Sequence, residues 1–489
     1  GLNMMFGAPE EKVDCLVIGG GVSGLTTAVF VKKSGRNVVL AEQGSSFGGN
    51  IETRSEGAYT WEDGPNTFQP VDNMLKLVEE LGLGPELVTT DPKLPRYVFS
   101  NNEMYALPAG GGPPKDLVRL LSPFALVRAV FGALVPTSSA STDETVADFI
   151  SRTLGAEVLD KIVDPFISTV YTGDPQRMSF KSVFPAIKRI ADDAGQPGGL
   201  LRSFITSRIA AKKAKQDVAP SSLPAPPRGA SASLKGGLVK LASAAVEYLG
   251  DAARSGWAVT SLTRADDGCY TARITSAGGE RTVTAKTVVV AAPSGPASSI
   301  LAPLAPAAQR LSEVTSPPVF AVTLSYPSSA LDPARPCSAG GELEGFGVLV
   351  PRSESLNSLG FQFISSMFPD RRPAGEEVLL SYFGGAQNPG AAEMAEEEVV
   401  RLVHADAKQM LLTPDAPEPK VLSVRKWDKA IPQYNVGHSE LMEEVRGALP
   451  EGLLLTGSYA GGGVSLGDCV GSAMACADQV EAMLAAEAA

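Results

Sequence analysis

Residues 14–24 read D-C-L-V-I-G-G-G-V-S-G, and the chain then reaches V-V-L-A-E-Q at 38–43. Val13, Cys15, Leu16, Val17 and Ile18 predict a buried parallel strand. Gly19, Gly21 and Gly24 answer three separate needs: a tight turn, room for a pyrophosphate, and close packing of the next helix on that strand. The helix, predicted over Ser23–Lys33, aims its N-terminal N–H groups at phosphate. Gly35, Arg36 and Asn37 turn the chain into a second apolar run, Val38–Ala41. Glu42 closes that run, where a carboxylate can accept hydrogen bonds from an adenosine ribose. Glycines so spaced also serve plain turns, so it is the order strand, glycines, helix, strand and acid that predicts a dinucleotide site.

The next glycines choose the cofactor. Gly48-Gly49 is followed by Asn50-Ile51, then by W-E-D-G-P-N at 61–66. Many nicotinamide domains end their fingerprint at the acid, whereas a large group of FAD oxidoreductases continues with a glycine pair that lies against the nucleotide. FAD is therefore the cofactor expected, provided that a partner element exists; without one, the pair reads as a loop hinge. Near the C-terminus a short apolar strand, Gly452–Thr456, leads into G-S-Y-A-G-G-G-V-S-L-G-D-C and an Ala-rich helix predicted over Val470–Ala485. A glycine-rich turn before a helix N-terminus suits the N1–C2=O edge of a reduced flavin, the alternative being a flexible lead-in.

At 489 residues, two or three domains are expected. A hydrophobic content of 44% with 20% charged residues describes a folded globular chain, and a net charge of −12 argues against nucleic acid as a partner. Cys15, Cys269, Cys337, Cys469 and Cys476 show no framework spacing, which favours free thiols in a reducing compartment. With only His404 and His438, and no cysteine–histidine cluster, no metal site is expected. No apolar stretch is long enough to cross a bilayer. The N-terminal G-L-N-M-M-F-G-A-P-E-E-K has neither signal nor transit character, and its lack of an initiating Met reads as a processed or truncated form.

The fold class predicted is α/β, in α+β multidomain form. A discontinuous Rossmann-like FAD-binding domain takes residues 11–90, 234–299 and 436–489. Its middle piece opens with a helix over Leu234–Ala242, continues through antiparallel runs at Ala258–Leu262, Cys269–Ile274 and Arg281–Thr284, and returns to a buried strand at Thr287–Pro293. A mixed-sheet substrate domain takes 91–112 and 300–435, with strands at Val319–Leu324, Phe346–Val350 and Val378–Tyr382 and a helix over Glu393–Leu412. Residues 113–210 are mainly helical, and 211–233, rich in proline, form a loop. Within the helical part, Pro113–Pro136 intersperses Lys115, Arg119 and Arg128 among apolar residues. Two readings fit it equally. It is a helix pair lying in a membrane interface through Leu120, Leu121 and Phe124, with basic residues at the headgroups, or it is an ordinary packed pair.

Several stretches together are similar to the protoporphyrinogen oxidase family, in its plastid form, within the flavin amine-oxidase superfamily. They are G-G-N-I, W-E-D-G-P-N-T-F-Q-P, D-P-F-I-S-T-V-Y-T-G-D-P, G-F-G-V-L-V-P-R, M-F-P-D-R, K-W-D-K-A-I-P-Q-Y, V-G-H and the C-terminal glycine turn. The resemblance runs almost end to end. It implies oxidation of protoporphyrinogen IX to protoporphyrin IX, on the way to haem and chlorophyll. Six electrons leave in three rounds through non-covalently held FAD, with molecular oxygen as acceptor and hydrogen peroxide released. It also implies a peripheral membrane protein, often a homodimer, on the stromal side of a plastid membrane, and a target of diphenyl-ether herbicides.

Carried over position by position, the resemblance places Gly19, Gly20, Gly21, Val22, Ser23, Gly24, Glu42, Gln43 and Asn50 on FAD. Gly64, Pro65, Asn66, Thr67, Val259, Val464, Ser465 and Leu466 join them. Arg96 matches an arginine holding a porphyrinogen propionate, a role suited to a fixed charge with bidentate donors, against the alternative of a surface ion pair. Leu349 and Tyr382 match residues that sandwich the macrocycle, against the alternative of core packing. Two positions depart from the family: Gln362 stands where Leu or Ile is usual, and Thr169 where glycine is usual, at a backbone carbonyl that handles a pyrrole proton. Another flavin amine oxidase, a carotenoid-type desaturase and a non-catalytic flavin-binding membrane protein stand as competing readings. Arg96 favours a carboxylate substrate over a cationic amine.

Overall fold

A computed structural model describes residues 10–107, 115–135, 143–193, 200, 221–224, 226–338 and 340–487. The N-terminal G-L-N-M-M-F-G-A-P, residues 211–220 and 225 of the 211–233 loop, and all of 194–210 except 200 lie outside these residues.

Two seven-stranded sheets organise the chain. The first has Glu10–Ile18 at its centre, flanked in parallel by Val38–Glu42 on one side and Gly279–Val290 on the other. Val38–Glu42 is followed outward by Ala253–Ser255. The Gly279–Val290 strand does two jobs. Up to Ala285 it closes an antiparallel meander with Ala258–Arg264 and Tyr270–Ser276. Its last residues, Val288–Val290, pair in parallel with Leu453–Leu455. The two predicted segments Arg281–Thr284 and Thr287–Pro293 are thus one strand, because Lys286 between them turns its charge outward and leaves the backbone ladder intact.

Helix Val22–Lys33 covers one face of this sheet together with Val239–Leu249 and the long C-terminal helix Leu466–Glu487, and the core between them includes Leu25, Val29, Leu241, Ala245, Ala477 and Val480. The helix predicted at Leu234–Ala242 starts later. Residues Ala232–Leu234 are a strand paired with Leu87–Thr89, and Gly236 and Gly237, at φ of 75° and 101°, turn the chain before Val239. The same pairing shortens the loop predicted to run to 233. The C-terminal helix starts at Leu466 rather than Val470, since Ser465 caps it.

The second sheet runs in the order Lys420–Trp427, Val319–Pro327, Glu376–Gly384, Ser358–Phe363, Gly347–Leu349, Arg96–Ser100 and Glu103–Leu107. Only the Gly347–Leu349/Arg96–Ser100 junction is parallel. Helix Glu396–Met410 packs on one face through Val399, Val403, Ala407 and Met410. Residues 143–193 form short helices around Phe149, Phe180, Ile167 and Tyr434, the two phenylalanine rings stacked at 3.6 Å.

The described part of Pro113–Pro136, residues 115–135, holds a helix pair, Lys115–Leu120 and Pro123–Leu134. Leu120 and Leu121 are buried, so two of the three residues expected to face lipid face protein. Phe124 at 80% and Phe131 at 65% exposure stand outward with Val118, Val127, Val130 and Leu134. Arg128 donates to the Thr153 and Arg152 carbonyls, and Arg119 pairs with Glu103 and Asp116, so neither is free for a headgroup. No helix among the described residues is long and apolar enough to cross a membrane.

Candidate active site

The first sheet ends at the glycine turn. A Cβ on Gly24 would run into the Gly19 carbonyl, so only glycine lets helix Val22–Lys33 start this close to the strand. Gly21 differs: a Cβ there would meet only the Gly49 Cα, at 3.9 Å. Gly48 is bonded to Gly20 and bridged to Gly21, which lays the second glycine pair directly beside the first. Gly21 is the helix N-cap and offers no side-chain acceptor, so the first-turn N–H groups are left for an anion. Ser23 is buried beneath the turn, and Gln43, Gly49 and Asn50 are exposed at its rim.

Glu42 already has backbone partners. Its two carboxylate oxygens accept from Gly20 N and Gly44 N, each at 2.6 Å. A carboxylate has about four acceptor positions, so two remain for ribose hydroxyls. An open glycine cradle, an uncapped helix N-terminus and a carboxylate fixed by its own turn fit an adenine dinucleotide.

The C-terminal turn is a less simple anion site. Ser465 Oγ accepts from Asp468 N at 3.2 Å, and Asp468 accepts from both Ser465 N and Oγ. This reciprocal cap satisfies part of the helix end with a carboxylate, which weakens the helix N-terminus as a source of positive field. The N–H groups of the turn itself are therefore better placed than the helix to meet negative charge. Val464 packs against the helical cluster and Leu466 against the first sheet's helices. Val259 lies at a register shift in the meander, half-buried.

The substrate candidates come together through register. Arg96 stands opposite Gly347, Gly347 opposite Gln362, and Gln362 opposite Leu380. In the adjacent row Val98 faces Leu349, Leu349 faces Gly360, and Gly360 faces Tyr382. Directly opposed residues point to the same side, and alternate residues along a strand share a face. Arg96, Leu349, Gln362 and Tyr382 therefore occupy one face of the second sheet in two neighbouring rows, with Gly347 and Gly360 keeping its middle low.

Each candidate has its own surroundings. The Arg96 guanidinium lies over the Phe346 ring, 4.7 Å from its centroid, and burial alone lowers its pKa. Among the described residues no carboxylate pairs with it. Leu349 packs with Val98, Tyr105 and Leu120, so core packing accounts for part of its role. Gln362 has a buried Oε1 without a hydrogen-bond partner. Tyr382, pushed up to about 12 by burial, accepts from Asn66 Nδ2 at 3.2 Å and donates to the Gly64 carbonyl at 3.4 Å. Its hydroxyl thereby joins the second sheet to the Gly64–Thr67 loop, and Asn66 keeps a buried Oδ1 unpartnered at that junction. Thr169 lies in the last turn of helix Asp164–Val170, and its hydroxyl donates to the Leu359 carbonyl at 2.8 Å. The hydroxyl is thus satisfied by the strand beside Gly360.

Sequence reasoning missed what holds the W-E-D-G-P-N loop. Glu62 is fully buried, faces Arg371 at 3.4 Å, and accepts from Thr53 Oγ1 at 2.6 Å and Leu238 N at 2.9 Å. Burial pushes its carboxyl up to about 7, and Arg371 opposes the shift. Arg371 also donates to Ser233 Oγ at 2.7 Å. Asp63 accepts from Trp61 Nε1 and Ser423 Oγ, while its carbonyl accepts from Trp427 Nε1 at 2.7 Å. The M-F-P-D-R and K-W-D motifs therefore brace this loop. Two charged residues in apolar motifs were the available signal, because a buried charge requires a partner.

The pattern of the flavin-containing amine oxidoreductase family matches residues 22–481. A relative from rice (Oryza sativa subsp. japonica) named chloroplastic protoporphyrinogen oxidase is 40% identical over 97% of this chain and 89% of its own length. The coproporphyrinogen III oxidase of Bacillus subtilis is 27% identical, over 94% of this chain and 96% of its own. A solved structure from Exiguobacterium sp. 255-15 shares the fold at a TM-score of 0.75 and 23% identity, covering 97% of this chain and all of that one.

Proposed function

The chain belongs to the flavin-containing amine oxidoreductase family and, within it, to the protoporphyrinogen oxidases, and on that premise we propose that it oxidises protoporphyrinogen IX to protoporphyrin IX, with FAD as cofactor and molecular oxygen as electron acceptor. FAD supplies the two-electron oxidations; the chain's own residues bind, orient and exclude water. The observation that carries the reading is the shared sheet face, on which Arg96 is a half-buried cation, with no carboxylate partner among the described residues, at the rim of an otherwise uncharged floor. A tetrapyrrole with a propionate on one edge complements that surface, whereas an amine would meet a like charge. Leu349, Gln362 and Tyr382 give the ring an extended contact area, and Gly347 and Gly360 give it room. Developing positive charge is delocalised over electron-rich pyrroles, so no strong protein base is required. The Thr169 carbonyl, in the last turn of a helix where carbonyls lack intrahelical donors, is the acceptor for a pyrrole N–H.

Anaerobic mixing of the flavin-loaded protein with protoporphyrinogen IX should bleach the flavin's visible absorption, and air should restore it with release of peroxide. Coproporphyrinogen III, with two further propionates, should be the poorer substrate, since the two rows carry a single cation, Arg96. Bleaching by an amine and not by the porphyrinogen would overturn the proposal.

The finer setting is part of the same proposal. Phe124, Val127, Val130 and Phe131 support peripheral attachment to a lipid surface. Helix Asp164–Val170 carries both Thr169, bonded to the second sheet, and the exposed Phe166 and Val170, which supports a substrate contact and an apolar patch on one element. The names of the plant relatives support a plastid location, and the resemblance supports a homodimer, which sedimentation of the detergent-solubilised protein would read.

A further inference from the structure

The glycine-rich turn near the C-terminus is held by a set of side chains that no part of the substrate reading uses. Three consecutive carbonyls of the turn are each taken by a residue of one neighbouring segment. Tyr434 Oη donates to the Ser458 carbonyl, His438 Nε2 bonds the Tyr459 carbonyl at 2.9 Å, and Arg446 donates to the Ala460 carbonyl. A carbonyl can only accept, so His438 carries its proton on Nε2. The Tyr434 and His438 rings stack at 4.4 Å with 15° between their planes, and both are buried.

The clamp is itself fixed. Tyr434 O accepts from Ser179 N at 2.7 Å, Val436 N donates to Arg177 O at 3.0 Å, and Gly437 N donates to Asp143 Oδ2 at 3.0 Å. Helix His438–Ala448 then carries His438 and Arg446 along one side. In a trans peptide the N–H points opposite to the C=O of the same plane. Drawing the Ser458 and Ala460 carbonyls toward this segment therefore turns the Tyr459 and Gly461 N–H groups to the far side of the turn. Without the clamp, a run of glycines such as Gly461–Gly463 has no reason to keep its dipoles aligned.

We propose that Tyr434, His438 and Arg446 are positioning residues for the flavin: by pinning the Ser458, Tyr459 and Ala460 carbonyls they hold the turn's N–H dipoles toward the cofactor and favour its reduced, more negative form. This rests on the reading that the turn borders FAD. The clamp acts through the turn and touches neither substrate nor flavin.

The test uses the full chain, as apoprotein and as FAD-loaded protein. His438→Phe keeps the ring stack and removes the donor, and His438→Gln keeps a donor. In His438→Phe, FAD binding to the apoprotein should weaken about tenfold. The reduced flavin should lose about tenfold more than the oxidised form, which lowers the two-electron midpoint potential by about 30 mV. His438→Gln should recover most of both. Should His438→Phe fail to fold, Tyr434→Phe, which deletes one hydroxyl, is measured the same way. A purely structural role predicts a lower melting temperature of the apoprotein with an unmoved potential, and that result overturns the proposal. Hydrogen exchange of the wild type with and without FAD separates the two ideas. If the amides of 457–466 gain protection and the His438→Phe potential is unchanged, the clamp falls and the flavin reading stands. If those amides gain none, the reading of the turn falls and takes the clamp with it.

Discussion

Replacing Arg96 with alanine separates substrate recognition from folding, because the residue's surroundings assign it little structural work. Its guanidinium is half-buried over Phe346, its pKa is lowered by burial, and no carboxylate among the described residues pairs with it. The cation–π contact contributes about 0.5–1 kcal/mol, and desolvation of an unpaired charge offsets part of that. Arg96→Ala should therefore shift the stability of the protein by about 1 kcal/mol at most, with unchanged FAD content. A propionate bound by the guanidinium gains a charge-assisted, partly desolvated contact of about 1.5–3 kcal/mol. Its loss corresponds to about ten- to a hundredfold in kcat/KM. The contact is made equally before and during the reaction, so the loss should fall mainly on KM. Arg96→Lys keeps the charge without the planar fork and should recover only part. Steady-state kinetics with protoporphyrinogen IX beside a melting curve decide the matter. An unchanged KM in a folded Arg96→Ala protein, or a large fall in melting temperature with KM intact, would refute the assignment.

Arg371→Met should destabilise by about 3–5 kcal/mol, because it strands the fully buried Glu62, and Arg371→Met/Glu62→Gln should recover most of that; urea unfolding measures both, and a single variant within 1 kcal/mol of wild type on the order-of-magnitude scale of such pairs contradicts the argument. Changing Phe124, Val127 and Phe131 together to serine should reduce flotation with anionic vesicles without altering melting, whereas equal flotation of the two folded proteins would clear this patch of a membrane role. Burial holds the His404 and His438 pKa values below 6.5. As pH falls, the unfolded chain takes those protons first, so their contribution is complete above about 6.5 and is lost below it. Melting temperature should drop as pH falls below about 6.5, less steeply in His404→Gln, and parallel profiles would sink that account. Acid precipitation should leave all of the FAD in the supernatant, as a non-covalent site requires; yellow polypeptide in the pellet would show attachment.

The first sheet was legible because local sequence and backbone geometry coincide there. Gly19 and Gly24 carry needs that only glycine meets, and Val38–Glu42 follows at the distance one helix dictates. Where two periodicities meet, the reading failed. Gly279–Val290 looks like two strands because its first half belongs to a solvent-facing meander and its second to a buried parallel sheet. Leu234 looked helical through its spacing with Leu238, Leu241 and Ala242, yet Gly236 and Gly237 and the pairing with Leu87 decided otherwise. Of the two readings of Pro113–Pro136, the one that turns Leu120 and Leu121 to lipid rested on their apolar character alone; burial depends on which side meets Ile162 and Phe149, and that is a tertiary fact.

In the candidate site, the sequence supplied the residues but not their relation to one another. Arg96, Leu349, Gln362 and Tyr382 come from four strands, and no spacing along the chain encodes that Gly347 and Gly360 bring them into two rows. The W-E-D-G-P-N and M-F-P-D-R stretches carry the family resemblance, which implies FAD contacts for Gly64, Pro65 and Asn66 and gives Glu62 and Arg371 no role. Their strongest contacts are instead with one another, Glu62 to Arg371, and with Trp427 and Ser423 across Asp63. Such a motif is restrictive because a buried charge admits few substitutes for itself or its partner. The consequence reaches the chemistry through one hydroxyl. Tyr382 belongs to the candidate face by register and to the Gly64–Asn66 loop by hydrogen bonding. Any shift of the loop that the Glu62–Arg371 pair braces is therefore carried directly into the floor on which the macrocycle is proposed to lie.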